Sequence, residues 1–249
     1  MADGSERPMT TPPGITLKGQ HSIDGKVLFD ADIHLRSGQW TCLLGRSGVG
    51  KSTILRLILG LETGGEFSGT IRATDDAPLV GRISYMAQSD LLLPWLPVLG
   101  NVCVGARLRG ERPNTDLARD LVNRVGLSRH LDQKPNTLSG GMRQRVALAR
   151  TLFEDRPVVF LDEPFSSLDA GTRADMQELA AEVLKDRTVL LVTHDPAEAA
   201  RLAHQIVVMS AQATQNWPVP QTPALREINA PQTLACQAQL LNYLRGIAA

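Results

Sequence analysis

A glycine-rich segment at residues 45–53 constrains the fold of this chain more than any other feature. It reads GRSGVGKST and fits the phosphate-binding pattern G-x-x-x-x-G-K-[ST]. The apolar run at residues 40–44 is short enough for a buried strand, and residues 54–59 predict a buried helix. A strand, a glycine-rich turn and a helix in this order predict a loop that binds nucleotide phosphates. They disfavour the alternative, a glycine-rich turn without a ligand.

The residue types in this loop suit the chemistry of a nucleoside triphosphate. The glycines permit backbone angles at which consecutive N–H groups turn toward phosphate oxygens. Lys51 is predicted to reach the β- and γ-phosphates, and the Ser52 hydroxyl is predicted to coordinate Mg²⁺. The predicted nucleotide-binding residues of the loop are Gly45, Arg46, Ser47, Gly48, Val49, Gly50, Lys51, Ser52 and Thr53.

Composition and charge disfavour several other classes of protein. Hydrophobic residues make up 43% of the 249 residues, which is typical of a globular chain rather than a disordered one. The 26 Lys and Arg residues balance the 26 Asp and Glu residues, so charge gives no reason to expect a nucleic-acid partner. The first residues lack the apolar core of a signal peptide, and no run approaches the roughly 18 apolar residues of a membrane span. With cysteines too few and too far apart for a disulfide framework or a metal site, we expect a cytoplasmic protein.

Two predicted strands end in polar side chains that suit nucleotide hydrolysis. Residues 158–161 are apolar and precede Asp162 and Glu163, and the apolar run at residues 188–193 precedes His194. The carboxyl ends of buried parallel strands meet at the sheet edge where α/β proteins hold ligands. There Asp162 would hold Mg²⁺ through water, and Glu163 would polarise the water that attacks the γ-phosphate. The alternative for these acids, a helix cap or surface charges, is disfavoured by the strand before them.

The first half of the chain predicts an antiparallel hairpin and then a region of helices. Residues 15–17 and 27–35 predict the hairpin, with a turn at Asp24 and Gly25. From about residue 91 to 155 the β signals fade and helical spacing takes over. Helices are predicted at residues 99–108, 117–125 and 142–153.

The second half alternates strands and helices and ends in a separate helix. Ser139 is placed to cap the helix at 142–153, and Gly140 and Gly141 leave the first N–H groups of that helix exposed. Further strands are predicted at residues 82–86 and 205–209. Trp217 and the prolines around it predict a linker, and residues 231–245 predict an amphipathic helix.

The order of these motifs closely resembles the ATP-binding subunit of ABC transporters over roughly residues 14–210. The motifs are GRSGVGKST at 45–53, Gln88 after a strand, LSGGMRQR at 138–145, VVFLDEP at 158–164, SSLD at 166–169 and His194. The resemblance implies an α/β fold: a P-loop NTPase core with an antiparallel β subdomain and an α-helical subdomain inserted at about 89–155. It divides the chain into a flexible lead at 1–13, an ATPase domain at 14–210 and a linker with a C-terminal helix at 211–249.

The resemblance also implies roles for residues that the chemistry alone leaves open. His194 would bond the γ-phosphate, and Gln88 would contact Mg²⁺ or the attacking water. Ser139, Gly140 and Gly141 of one subunit would close on the γ-phosphate that a second copy holds. The implied active unit is a homodimer with ATP and Mg²⁺ at its interface. Asp169 has two open interpretations, a loop that crosses the dimer and an ordinary helix N-cap.

The chain departs from the family where the adenine base is usually held. The family places an aromatic ring roughly two dozen positions before the phosphate loop, but no Tyr, Phe or Trp stands near Ser22. His21 is the candidate replacement, with a smaller ring area for stacking.

A Leu-Leu-Pro-Trp segment at residues 92–95 resembles the importers of nitrate, sulfonates, taurine and thiamine precursors. It would dock a cytoplasmic helix of a membrane permease, with Leu92, Leu93 and Trp95 in the contact. The alternative is packing inside the helical subdomain. Docking implies a peripheral protein at the cytoplasmic face of the inner membrane and, indirectly, a periplasmic solute-binding protein.

Three functions remain to be weighed from the sequence. The first is an ATPase that powers solute import. The second is an ABC-type ATPase of DNA repair or translation that is not coupled to transport, but the chain has neither a coiled-coil insertion nor a second ATPase core. The third, a GTPase or kinase, leaves LSGG and SSLD unexplained.

Overall fold

The computed structural model describes residues 11–210 and 213–246, so most of the predicted flexible lead lies outside the described residues. The strands are β1 (Ile15–Ile23), β2 (Lys26–Leu35), β3 (Trp40–Gly45), β4 (Glu66–Ala73), β5 (Ile83–Met86), β6 (Val158–Asp162), β7 (Thr188–Thr193), β8 (Gln205–Met209) and β9 (Thr214–Trp217). The α-helices are α1 (Lys51–Ile58), α2 (Val98–Val102), α3 (Val104–Leu108), α4 (Thr115–Arg124), α5 (Gly140–Phe153), α6 (Ala170–Val183), α7 (Pro196–Leu202) and α8 (Pro231–Gly246).

The central sheet has six strands in the order β5-β6-β7-β3-β8-β9. The pairs from β5 to β8 are parallel, and β9 pairs antiparallel to β8. Strands β3, β6 and β7 are buried at every residue, because helices cover both faces of a parallel sheet. Since β3, β6 and β7 are neighbours, their carboxyl ends bring the phosphate loop, Asp162 and His194 to one edge.

A second sheet of three antiparallel strands, in the order β2-β1-β4, packs over α1. Its inward side chains, such as Leu17 and Ile33, share a core with Ile54 and Leu55 of α1 and with Phe160 of β6. The β1–β2 hairpin closes at Asp24 (φ 50°) and Gly25 (φ 73°), a pair of left-handed residues that suits a tight hairpin turn. The fold class is therefore the predicted one, a mixed α/β core with an added antiparallel sheet.

The helical region differs from the prediction in one detail. The predicted single helix at 99–108 is two short helices, α2 and α3, which meet at Cys103. Gly105 of α3 lies against the Glu154 side chain at the end of α5, where an added Cβ would lie 1.9 Å from Oε1.

Residues 213–246 pack against the core more closely than a linker would. Trp217 ends strand β9, and its ring lies 4.8 Å from the ring of Tyr243 in α8. Arg226 is buried and donates to the carbonyls of Ala200 and Ala203 at the end of α7. The linker prediction is wrong at residues 214–217, which form β9. Pairing with β8 stabilises this strand, and its sequence has no apolar pattern that predicts it. Residues 211–212 and 247–249 lie outside the described residues.

Candidate active site

The phosphate loop joins β3 to α1 and holds its lysine folded back on itself. Lys51 Nζ donates to the carbonyls of Gly45 and Arg46, each at 2.8 Å. The side chain is buried, and burial lowers its pKa while Glu163 and Asp162 oppose the change. The hydrogen-bonding needs of the ammonium group are thus met by backbone oxygens of the loop itself.

Gly50 is one of the loop glycines that a residue with a side chain cannot replace without strain. Its φ of 103° is left-handed, and an added Cβ would lie 2.7 Å from Cδ1 of Phe29. Gly50 is also the N-cap of α1 and offers no side chain to the first N–H groups of that helix. Those N–H groups, together with the helix dipole, form a site for an anion.

Ser52 and Asp162 come from separate elements and meet at hydrogen-bond distance. Ser52 Oγ donates to Asp162 Oδ2 at 3.0 Å, and the Tyr85 hydroxyl lies 3.5 Å from the same oxygen. Burial raises the pKa of Asp162, although the hydrogen bond from Ser52 opposes the rise.

This donor set fits a hard divalent cation that keeps most of its own water. A hydroxyl and a carboxylate oxygen are ligands that Mg²⁺ prefers, and Mg²⁺ commonly binds through one or two such groups plus substrate phosphates. No cluster of three or more His, Cys, Asp or Glu side chains suited to a metal occurs among residues 11–210 and 213–246. The site therefore fits Mg²⁺ carried in with a nucleotide better than a metal held by protein alone.

Glu163 and His194, the first residues after β6 and β7, lie in contact. His194 Nδ1 lies 3.1 Å from Glu163 Oε1, and the histidine side chain is 60% exposed while that of Glu163 is 15% exposed. The Glu163 N–H donates to the carbonyl of Val192 at 2.8 Å, and its φ is 49°. The carboxylate is thus held at the mouth of the site, beside an imidazole that solvent reaches.

Gln144 supports this arrangement, although it is not among the predicted site residues. Its Nε2 lies 3.2 Å from the carbonyl of Pro164 and 3.4 Å from that of Glu163. The Ser166 hydroxyl also donates to the Glu163 carbonyl, at 3.1 Å. Its place in the sequence could have indicated this role, since Gln144 is the glutamine of the LSGGMRQR motif.

The remaining predicted site residues lie on other elements. Gln88 is exposed, just after β5 and therefore at the same edge of the sheet. Ser139 caps α5 as predicted, accepting the Met142 N–H at 3.2 Å, and both Ser139 and Gly140 are exposed. Asp169 caps α6 by accepting the Thr172 N–H at 3.0 Å, and this bond lowers the pKa of its carboxyl. The N-cap interpretation of Asp169 is confirmed, whereas its second interpretation stays a prediction.

The prediction that His21 stacks on the base is wrong. His21 is fully buried, and its ring stacks on Phe29 with centroids 5.6 Å apart. The alternation of faces along β1 could have indicated this burial, because Ile15, Leu17 and His21 share one face and all are buried. His21 therefore supports Phe29, whose ring packs against Gly50 of the phosphate loop.

The predicted docking segment divides into a buried and an exposed part. Leu92 is only 9% exposed and belongs to the main core, which corrects its assignment to a contact surface. Leu91 and Trp95 are 62% and 65% exposed. Buried Asn101 fixes the turn between them, accepting the Leu93 N–H at 2.7 Å and donating to nearby carbonyls.

A phosphate loop, a strand-end carboxylate pair and a strand-end histidine on one parallel sheet define a P-loop NTPase. The ABC transporter family matches residues 28–166, and the chain belongs to this family as an ATP-binding subunit that hydrolyses ATP. None of the helices in the described ranges has both the length and the apolar character needed to cross a bilayer.

Among individual proteins, the chain is similar to ATP-binding subunits of bacterial ABC transporters. An ABC transporter ATP-binding protein of Haemophilus influenzae is 42% identical over 90% of this chain and 95% of the relative. The aliphatic sulfonates import ATP-binding protein SsuB 1 of Rhodococcus jostii is 44% identical over 82% of each chain. SsuB of Escherichia coli K12 is 41% identical over 80% of this chain and 77% of the relative. These relatives confirm the predicted resemblance to importer ATP-binding subunits of the group that includes nitrate, sulfonate, taurine and thiamine-precursor importers.

A solved structure agrees with the fold. The ATP-binding cassette MJ0796, a dimer in a post-hydrolysis state bound to ADP and phosphate, superposes with a TM-score of 0.70. It is 27% identical, and the match covers 86% of this chain and 99% of that one.

Proposed function

We propose that this chain is the ATPase subunit of a solute importer and works as a head-to-tail homodimer bound to membrane permease subunits. The observation that carries the proposal is the division of its phosphate-binding groups. Lys51, Asp162 and Glu163 converge at one sheet edge, whereas a second capped helix N-terminus, at Ser139, stands exposed on another element. An exposed anion site of this kind suits a phosphate presented by a second copy.

Within one copy, the residues divide the work of hydrolysis. The loop N–H groups and Lys51 hold the phosphates, and Lys51 exchanges its bonds to Gly45 and Arg46 for phosphate oxygens. Ser52 and Asp162, with Gln88, would hold Mg²⁺, which supplies positive charge to the phosphates. Glu163 accepts a proton from the attacking water as the water oxygen bonds to the γ-phosphorus, while the bond between that phosphorus and the β–γ bridging oxygen breaks and ADP leaves.

His194 and the second copy complete the site. His194 is exposed beside Glu163, where its imidazole can donate to a γ-phosphate oxygen. Ser139, Gly140 and Gly141 of the partner copy supply N–H groups from the other side. ATP then joins the two copies, and hydrolysis separates them, which gives the permease two states to follow.

The permease contact is proposed at Leu91 and Trp95. Both are large apolar side chains that are mostly exposed. The side chains of Asn101 and Arg150 hold the turn that carries them through hydrogen bonds to its backbone. A preformed apolar surface suits a helix of a membrane partner. Through that partner the chain would lie at the cytoplasmic face of the membrane and act with a periplasmic solute-binding protein.

The proposed solute class is aliphatic sulfonates. Several relatives at 41–44% identity carry that activity in their names. Nitrate, taurine and thiamine precursors are the other solutes of the group that the Leu-Leu-Pro-Trp segment resembles.

Reconstitution tests the proposal. The chain would be co-expressed with the permease encoded beside it, placed in liposomes, and assayed for ATP hydrolysis with and without the solute-binding protein and an alkanesulfonate. We expect the loaded binding protein to stimulate hydrolysis and to drive sulfonate uptake. Hydrolysis that no permease or binding protein alters would favour the ABC-type ATPase without transport.

A further inference from the structure

A buried carboxylate lies behind His194, and the proposed mechanism does not use it. Glu198 in α7 is only 4% exposed, and its Oε2 accepts the Thr193 hydroxyl at 2.7 Å. Thr193, the residue before His194, is itself buried.

The Thr193 hydroxyl ties together the residues on both sides of His194. Besides donating to Glu198, its oxygen accepts the Asp195 N–H at 3.0 Å. The Asp195 carboxylate accepts the Ala197 N–H at 2.8 Å and lies 3.3 Å from Arg173. One hydroxyl thus fixes the turn that carries the imidazole, and Glu198 orients that hydroxyl.

The position of His194 depends on this turn more than on packing. Its side chain is 60% exposed, and the polar contact given for its ring is that of Nδ1 with Glu163 Oε1, at 3.1 Å. A cavity of about 50 Å³ lies behind it, lined by residues that include Glu163, Arg173 and Glu198. Because so little surrounds the ring, the backbone at Thr193 and Asp195 sets where the imidazole points.

We propose that Glu198 is a positioning residue for ATP hydrolysis, which holds His194 toward the γ-phosphate by anchoring the Thr193 hydroxyl. The inference rests on the proposed role of His194. For this role Glu198 must accept a hydrogen bond, and it need not be charged. Burial raises the pKa of Glu198 to about 7, so its neutral form is accessible. The Thr193 hydrogen bond, Arg173 and His194 oppose this rise, and Asp195 adds to it.

The test measures kcat and KM for MgATP in variants of the full chain. Glu198→Ala and Thr193→Val should each lower kcat at least about tenfold, while KM for MgATP stays within about twofold, because the phosphate loop is intact. Glu198→Gln should keep most of the activity, since its amide oxygen still accepts from Thr193. Thr151→Val is the matched control: Thr151 is also buried, and its hydroxyl donates to Ala147 within α5, so kcat should not change.

The decisive comparison uses a His194→Ala background. There Glu198→Ala should lower kcat by less than about twofold further, because the group it positions is gone. An equal loss with and without His194, or a Glu198→Gln variant as impaired as Glu198→Ala, would overturn this inference alone. An unchanged kcat in His194→Ala itself would overturn the proposed role of His194 and the inference with it. ADP binding, which involves no γ-phosphate, should be the same in all variants, and its loss would identify a merely structural role.

Discussion

Glu163 is held by its backbone on more than one side, and this restraint aims its carboxylate. Its φ of 49° is uncommon for a residue with a side chain. Its N–H donates a hydrogen bond to the carbonyl of Val192. Its own carbonyl accepts the Ser166 hydroxyl, and Gln144 Nε2 lies 3.4 Å from the same oxygen. Surroundings that fix a residue in a sparsely populated conformation are frequent at functional sites, and here they direct the side chain toward His194.

Replacing Glu163 with Gln tests the role of that carboxylate. The variant keeps the shape of the side chain but loses the acceptor for the proton of the attacking water. We expect MgATP binding to persist and turnover to fall by about 10²-fold or more. ATP should then hold a stable dimer, measured by size-exclusion chromatography. Hydrolysis at the wild-type rate would show that another group is the base.

Glu198 makes stability depend on pH near neutrality. Its folded-state pKa is about 7, against 4.5 for an ordinary glutamate, because burial disfavours the charged form. Its contribution to stability is therefore complete below about pH 4.5 and is lost as pH rises through about 7.

The Glu198→Gln variant cannot titrate at this position. Its melting temperature relative to the wild type should therefore increase from pH 5 to pH 8, equivalent to at most about 3 kcal/mol of unfolding free energy. Thermal unfolding of both proteins across this range measures the effect. A difference that is constant with pH would contradict the raised pKa.

At the scale of elements, the turn at 91–95 presents apolar side chains that its own contacts do not bury. Leu92 points into the core, whereas Leu91 and Trp95 point outward. Arg150 of α5 donates to the carbonyls of Asp90 and Leu91 at 2.7 and 2.9 Å. The turn is thus tied to α5, the helix that Ser139 caps.

Trp95→Ala and Leu92→Ala form a matched pair for this turn. Trp95→Ala should leave the melting temperature of the isolated chain nearly unchanged but abolish co-purification with the permease, since a buried interface Trp commonly contributes about 2 kcal/mol or more. Leu92→Ala should destabilise the isolated chain by about 2–5 kcal/mol because it leaves a cavity. A large fall in melting temperature for Trp95→Ala would mean that the indole serves the fold and not a partner.

The sequence predicted the parallel core well because its strands are continuous apolar runs. The predicted bounds 188–193 and 205–209 match β7 and β8. The same apolar runs show where each strand ends, so Asp162 and His194 could be predicted to lie at one edge of the central sheet. Strand β9 could not be predicted, because Thr214, Gln215 and Asn216 carry no apolar alternation and owe their conformation to β8. The orientation of Leu92 was also beyond the sequence, because three successive leucines give no face.

At the scale of the whole molecule, one copy carries its phosphate loop and the exposed N-terminus of α5 on different elements. The loop before α1 lies on the central sheet, and the N-terminus of α5 belongs to the helical region. The central claim is that ATP is hydrolysed at a site shared by two copies, which accounts for the exposure of Ser139 and Gly140 in one chain.

Site-specific cross-linking tests this claim most directly. One chain would carry Asn136→Cys, near Ser139, and the other Ser47→Cys in the phosphate loop, both in the Glu163→Gln background. Asn136 and Ser47 are exposed, and the native cysteines are buried. With a short bismaleimide, the split-site dimer predicts cross-linked heterodimers when ATP is added and few without nucleotide or with ADP. A yield that ATP does not change, at protein concentrations where the dimer forms, would contradict the shared site.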